Sequence, residues 1–271
     1  MPEILDDLSP LTLAWATDQN FIEFHKQMAC LPGAEVHDEA DLMWFATPIK
    51  MGGFNGVVRA SLRPEDVGRK VEEVAEMFRR RDTRWNWAVG PSSQPPDLGS
   101  RLEEHGMSVG GGELAMAADL HALNADVPRP EGLSVVRVRD ADTLDAYMHA
   151  MATGFGPPED FSRQWRVVFE CLGLEEDAPF QHYLGLLDGE PVASSSVFYG
   201  AGVAGIYMVA TVPHARGRGI GSYITVAPLL DARDLGYRLA ILQATEMGSS
   251  IYRRLGFQSY GTFTFFVPKK Q

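Results

Sequence analysis

Apolar and polar positions alternate most regularly in the second half of the chain. Residues 133–138 form a strand-like run, and the stretch after Asp140 carries apolar residues at helical spacing, with a second amphipathic stretch at 161–172. The pattern then predicts strands, a long helix near 220–235, a further strand, a short helix near 250–255 and a closing hairpin about Gly261; the predicted strands are 182–187, 191–198, 203–211 and 238–244. This order predicts a mixed sheet flanked by helices, an α/β or α+β fold.

The first half follows a weaker version of the same plan. Its pattern predicts strands at 41–47, 53–60, 85–89 and 113–120 and helices at 65–81 and 96–105. We therefore expect an internal repeat, with one lobe at 1–123 and a second at 133–271. Residues 124–132 contain two prolines and a glycine, so they are the expected linker.

Composition narrows the range of functions. The chain has 271 residues and a net charge of −12, which argues against a general nucleic-acid-binding protein. No apolar run is long enough for a membrane span, and the N-terminal segment lacks the features of a signal peptide, so a cytoplasmic protein is expected. Cys30 and Cys171 are far apart, so no disulfide framework is expected. The histidines do not cluster, so no metal site is expected either.

The segment 216–222, with the sequence RGRGIGS, lies between a buried strand and an amphipathic helix. Backbone N–H groups at a helix start lack partners within the helix, and glycines let a ligand approach them, so this arrangement suits a pyrophosphate. Basic residues gather around it in the sequence: His214, Arg216, Arg218, Arg233, Arg253 and Arg254. The loop has no lysine at the Walker position, and Ser222 replaces the third glycine of a dinucleotide fingerprint.

Arg216-x-x-Gly219-x-Gly221 is similar to the (Gln/Arg)-x-x-Gly-x-(Gly/Ala) signature of the GNAT superfamily of N-acetyltransferases. The segment 251–257, IYRRLGF, resembles the Tyr-x-x-x-Gly-Phe segment of that family, and 209–213 resembles its fourth strand and the turn that leaves it. The resemblance covers roughly residues 132–267. It implies a GNAT-like mixed β-sheet flanked by helices, with two tandem lobes of which only the second binds a cofactor.

The resemblance also implies roles for individual residues. The donor would be acetyl-CoA, with no metal, and Tyr252 would protonate the departing thiolate. The pantetheine arm would contact the backbone of Val209, Ala210 and Thr211. The signature Arg216 would precede the loop that holds the pyrophosphate, formed by Gly217, Arg218, Gly219, Ile220, Gly221 and Ser222. Glu246 is the leading candidate for the base, and Thr245 stands where the family usually has asparagine.

The expected activity is transfer of acetyl to an amine of an unidentified acceptor, either a small molecule or a peptide. The expected assembly is a monomer or a homodimer, with no nucleic-acid or membrane partner. The first half lacks the residues expected to bind the cofactor and to donate a proton. Residues 63–66 (RPED) take the place of the glycine loop, and Leu102 takes the place of Tyr252. A non-catalytic acyl-CoA sensor and a regulatory or interaction protein are the alternatives.

Overall fold

The chain folds around a single mixed sheet of eleven strands within the residues that the structure, a computed structural model, describes: 4–156 and 159–269. The strands are β1 (Glu35–Asp38), β2 (Leu42–Ala46), β3 (Gly56–Ala60), β4 (Asn86–Val89), β5 (Met107–Asp119), β6 (Leu133–Arg137), β7 (Phe180–Leu187), β8 (Glu190–Gly200), β9 (Val203–Thr211), β10 (Leu239–Ala244) and β11 (Gln258–Pro268). The helices are α1 (Pro10–Lys26), α2 (Val67–Arg80), α3 (Leu98–Glu104), α4 (Ala141–Phe155), α5 (Glu159–Leu172), α6 (Ile220–Asp234) and α7 (Glu246–Leu255).

The predicted α/β class, a mixed sheet flanked by helices, is confirmed. One face of the sheet packs on α1, α4 and α5 around an aromatic core, and the other packs on α2, α3, α6 and α7. Local signals in the sequence place several of these helices. Asp140 forms a capping box with Thr143 at the start of α4, and Gly256 in a left-handed conformation ends α7.

The two halves pair their strands in the same way. In the first half β1–β2 and β2–β3 are antiparallel and β3–β4 is parallel, and β7, β8, β9 and β10 repeat this sequence of pairings. Each half then receives the last strand of the other. The strand β5 pairs with β10, β11 pairs with β4, and β5 and β11 run antiparallel to each other at the centre of the sheet.

The closing hairpin about Gly261 is wrong, because 258–268 form one continuous strand with an irregularity between Ser259 and Gly261. A Cβ atom at Gly261 would come within 2.6 Å of the Pro91 side chain. The glycine is therefore needed for the close approach of the loop after β4, and no turn follows from it.

Helix α1 was missed by the sequence analysis because its sheet-facing side includes polar residues. Thr17, Asp18 and Asn20 are buried there, which obscures the apolar stripe of an amphipathic helix. The amide of Asn20 donates to the carbonyl of Gly200 at 2.9 Å. This helix of the first half therefore packs on strands of the second.

The exclusion of a disulfide framework from the cysteine spacing is wrong. Cys30 and Cys171 form a disulfide, with Cα atoms 5.9 Å apart, which is within the usual range. Phe24 of α1 stacks on Trp165 of α5, and this packing brings the two cysteines together across 141 residues of sequence. Such a contact depends on tertiary packing, so cysteine spacing alone does not reveal it.

In the described segments, no helix has both the length and the apolar character required to span a membrane.

Candidate active site

A gap opens between β9 and β10. The two strands pair in parallel only from Ala204–Ala240 to Ile206–Leu242, while β9 continues to Thr211. On its other side β9 pairs irregularly with β8, and Met208 adopts a left-handed conformation at that point (φ 52°). The hydroxyl of Ser194 donates to the Met208 carbonyl at 2.8 Å and holds this bulge. The end of β9 therefore leaves its backbone groups beside the gap.

The glycine loop lies directly after that strand end. Gly217 and Gly219 both have positive φ (76° and 79°), a conformation that favours glycine, and a Cβ atom on either would meet no other atom within 4 Å. Gly219 is the N-cap of α6 and provides no side-chain hydrogen bond to the first turn. The first N–H groups of α6 are therefore open to a ligand, and the helix dipole favours an anion there.

Arg216 has a positioning role in the structure. Its guanidinium donates to the carbonyl of Gly154 at 2.6 Å and to the carbonyl of Thr211 at 3.0 Å, joining the end of α4 to the end of β9. A Cβ atom on Gly154 would lie 2.7 Å from the Cβ of Ala210, so the glycine allows this close packing. The gap, the loop and α4 are thereby held in a fixed relation.

Tyr252 faces the same space from α7. Thr245 begins this helix, and its hydroxyl accepts a hydrogen bond from the Gly248 N–H at 3.2 Å. Burial, with a smaller contribution from the charge of Glu113, raises the pKa of Tyr252 to about 12. The phenol therefore stays protonated at neutral pH, as a proton donor requires.

One cavity of about 950 Å³ connects these parts. Most of the residues predicted for the site line it: Val209, Ala210, Thr211, Arg216, Gly217, Gly219, Ile220, Gly221, Ser222 and Tyr252. Arg218 and Glu246 do not line it, and both are exposed, Glu246 in the first turn of α7. The structure thus places the predicted base outside the cavity that holds the predicted acid.

Sequence reasoning missed the residues on the far wall of this cavity. Glu113 on β5 and Tyr207 on β9 line it, together with aromatic side chains of α4 and α5. Gln243 also lines it, and its side-chain amide nitrogen is buried without a hydrogen-bond partner. The signal available for Glu113 was a charged residue that opens a largely apolar predicted strand, 113–120. Its position at the cavity could not be predicted, because it depends on the exchange of strands between the halves.

Comparison with known proteins agrees with this geometry. Residues 135–260 match the family model described as an acetyltransferase (GNAT) domain. The resemblance of this part of the chain to the GNAT superfamily, drawn from its motifs, is therefore confirmed. No curated protein matches the chain in sequence.

Solved structures extend the likeness in fold to nearly the whole chain. A GCN5-related N-acetyltransferase from Kribbella flavida is 20% identical with a TM-score of 0.73, covering 93% of this chain and 96% of its own. A tandem GNAT protein from the clavulanic acid biosynthesis pathway is 16% identical with a TM-score of 0.63, covering 98% and 97%. A GCN5-related N-acetyltransferase from Sphaerobacter thermophilus is 19% identical with a TM-score of 0.63, covering 88% and 78%.

Proposed function

We propose that the protein transfers the acetyl group of acetyl-CoA to an amine by direct attack. The observation that carries this proposal is that one cavity contains the open start of α6, the end of β9 where it no longer pairs with β10, and the phenol of Tyr252. These parts fit the donor, because the N–H groups after Gly219 suit a pyrophosphate and the gap beside β9 admits an extended arm. Acetyl-CoA supplies a thioester whose carbonyl carbon an amine can attack.

The residues around that thioester have separate tasks. The loop from Gly217 to Ser222 would hold the diphosphate through main-chain N–H groups, and an N–H group near Val209 or Ala210 would stabilise negative charge on the carbonyl oxygen. Tyr252 would donate its proton to the sulfur, and its raised pKa keeps that proton in place until it is needed.

The first half is proposed to be a degenerate copy that binds no coenzyme, with its boundary to the second half at 124–132. The repeated strand pairings support the copy. Its long helix starts after Pro64, Glu65 and Asp66 in place of a glycine loop, and Asp66 is already paired with Arg63 and Arg69.

The test combines binding and turnover. Calorimetry should show acetyl-CoA binding to the wild-type protein, and a panel of amines should include acceptors that release free thiol from it. Binding without thiol release from any amine would contradict the acetyltransferase and favour the alternative of an acyl-CoA sensor. Absence of binding would contradict both.

A further inference from the structure

The first half contributes one charged residue to the cavity of the second. Strand β5 pairs with β10 from Asp119–Leu239 to Leu114–Ala244, so Glu113 lies one residue beyond the last pair, where the gap begins. On its other side β5 pairs with β11, and Glu113 lies opposite Phe263. Pairing with β10 on one side of β5 and with β11 on the other therefore fixes the position of Glu113 at the cavity.

The Glu113 carboxylate has no hydrogen-bond or ion-pair partner within the described segments. Burial raises its pKa above the usual value of a glutamate. Partial burial of an unpaired carboxylate is costly, so a fold retains one where it serves a ligand. A raised pKa also makes a carboxylate a stronger base at neutral pH.

The charged and titratable groups described around Glu113 do not pair with its carboxylate. Tyr207 and Tyr252 are protonated phenols, and the charge of Glu113 raises the pKa of both. Arg216 is engaged with the carbonyls of Thr211 and Gly154, and Arg254 is exposed at the cavity.

Helix α1 packs on the same strand, but its titratable groups are occupied elsewhere. Asp18 accepts from the Ser92 N–H, and His25 Nδ1 lies 2.7 Å from the Phe21 carbonyl. No fixed cation among the described residues therefore neutralises Glu113.

The cavity that Glu113 lines also has an apolar and aromatic wall. Met151, Phe155, Phe161 and Trp165 line it from α4 and α5. Tyr207 adds a ring whose hydroxyl is engaged with Asn20 at 2.8 Å. A carboxylate next to aromatic faces is suited to an ammonium group carried on an apolar body.

We propose that Glu113 binds the ammonium group of the acceptor and accepts its proton, and that the acceptor is a primary amine on an apolar or aromatic body. This inference rests on the proposed function. A proton passes from the ammonium to the Glu113 carboxylate, and the freed lone pair forms the N–C bond as the C–S bond breaks. The sulfur takes the proton of Tyr252, the resulting tyrosinate takes the second proton from the acylated nitrogen, and Glu113 releases its proton to solvent.

The first measurement requires no coenzyme. Phenethylamine and its neutral analogue phenethyl alcohol are titrated by calorimetry into the wild type, Glu113→Gln and the matched control Glu246→Gln. Glu113→Gln should weaken phenethylamine binding by about 10-fold or more, the scale of a lost charged partner, and leave the alcohol unaffected. Glu246→Gln should bind both ligands like the wild type.

The second measurement separates a base from a merely structural residue. With phenethylamine, Glu113→Gln should lower kcat/KM about 10²-fold and remove the acidic limb of the pH profile. With β,β-difluorophenethylamine, whose fluorines lower the pKa of the amine, much of the activity should return. Affinity for acetyl-CoA should be unchanged.

The outcomes are distinguishable. Equal losses with the two amines, or wild-type activity with an unchanged pH profile, would overturn the role of Glu113. Wild-type protein that fails to bind phenethylamine would overturn the acceptor class. A wild type that binds phenethylamine through Glu113 but releases no thiol would support the ammonium site while overturning both the acetyl transfer and the proton step.

Discussion

The helix that connects the two parallel strands begins differently in the two halves. In the second half, α6 follows Gly219 and leaves its first N–H groups uncovered. In the first half, α2 follows a short 3-10 turn at Pro64–Asp66, and Asp66 is bonded to Arg63 at 2.7 Å and Arg69 at 3.0 Å. The same topology thus presents an open helix start, suited to an anion, in one half and a neutralised acidic surface in the other. Residues of the first turn decide which of the two arises.

The ends of the following strands differ as well. The end of β10 opens into the cavity beside Thr245. At the end of β4 in the first half, the buried carboxylate of Asp18 accepts a hydrogen bond from the Ser92 N–H at 2.5 Å. A Cβ atom on Gly90 would lie 1.9 Å from that carboxylate, so the space is already filled. The first half therefore uses protein atoms where the second half leaves room for a ligand.

The largest expected effect comes from closing the open helix start. Gly219→Glu should abolish acetyl-CoA binding, because it places a carboxylate and a side chain where the diphosphate is proposed to lie. Gly33→Glu is the matched control, since Gly33 has a similar φ of 81° and equally open surroundings and does not line the cavity. Calorimetry on both variants decides the matter. Normal affinity in Gly219→Glu would remove the glycine loop from the binding site.

The second prediction concerns the short helices α7 and α3, which both end at a glycine with positive φ, Gly256 and Gly106. Tyr252 on α7 faces the cavity, whereas its counterpart on α3 is the buried Leu102. Tyr252→Phe should lower kcat about 10²-fold, the scale of a lost general acid, with acetyl-CoA affinity nearly unchanged.

Tyr237→Phe provides the matched control for that prediction. Tyr237 is a buried tyrosine stacked on Tyr199, and it does not line the cavity. Steady-state kinetics should therefore show little change in this variant. Equal turnover in Tyr252→Phe and the wild type would exclude the phenol as the proton donor.

The smallest expected effect concerns the stability of the protein and involves Asp18, the buried carboxylate at the end of β4. Burial raises the pKa of Asp18 from 3.8 to about 6, so the folded protein binds this proton more tightly than the unfolded chain. The free energy of unfolding should therefore fall as pH rises from about 4 to about 6. Asp18→Asn keeps an oxygen for the Ser92 N–H without the charge. It should gain about 1 to 3 kcal/mol at pH ~7.5 relative to the wild type.

Urea unfolding at two pH values checks this expectation. The advantage of Asp18→Asn should disappear near pH ~4, where the wild-type carboxyl is also neutral. A gain of the same size at both pH values would point to packing and would contradict the titration of Asp18.

Much of the fold, and the location of the glycine loop and of Tyr252 at one cavity, could be predicted from the sequence. The Asp140 cap, the glycine loop and the Tyr252 segment are local signals, and each lies where its pattern placed it. Glu113 and the disulfide could not be predicted in this way, because their partners come from the other half of the chain. Helix α1 could not be predicted for a related reason. Its buried residue Asn20 is polar, and the carbonyl to which it donates a hydrogen bond belongs to Gly200 on a distant strand.

The exchange of β5 and β11 between the two halves has a consequence for folding during synthesis. During synthesis β5 emerges long before β10 and β11, the strands that flank it. The backbone edges of β5 remain unpaired while more than half of the chain is still to be synthesised. Strands with unpaired edges are prone to aggregate. We therefore expect a nascent first half alone to depend on chaperones, and the cooperative folding step to come only after β11 has left the ribosome.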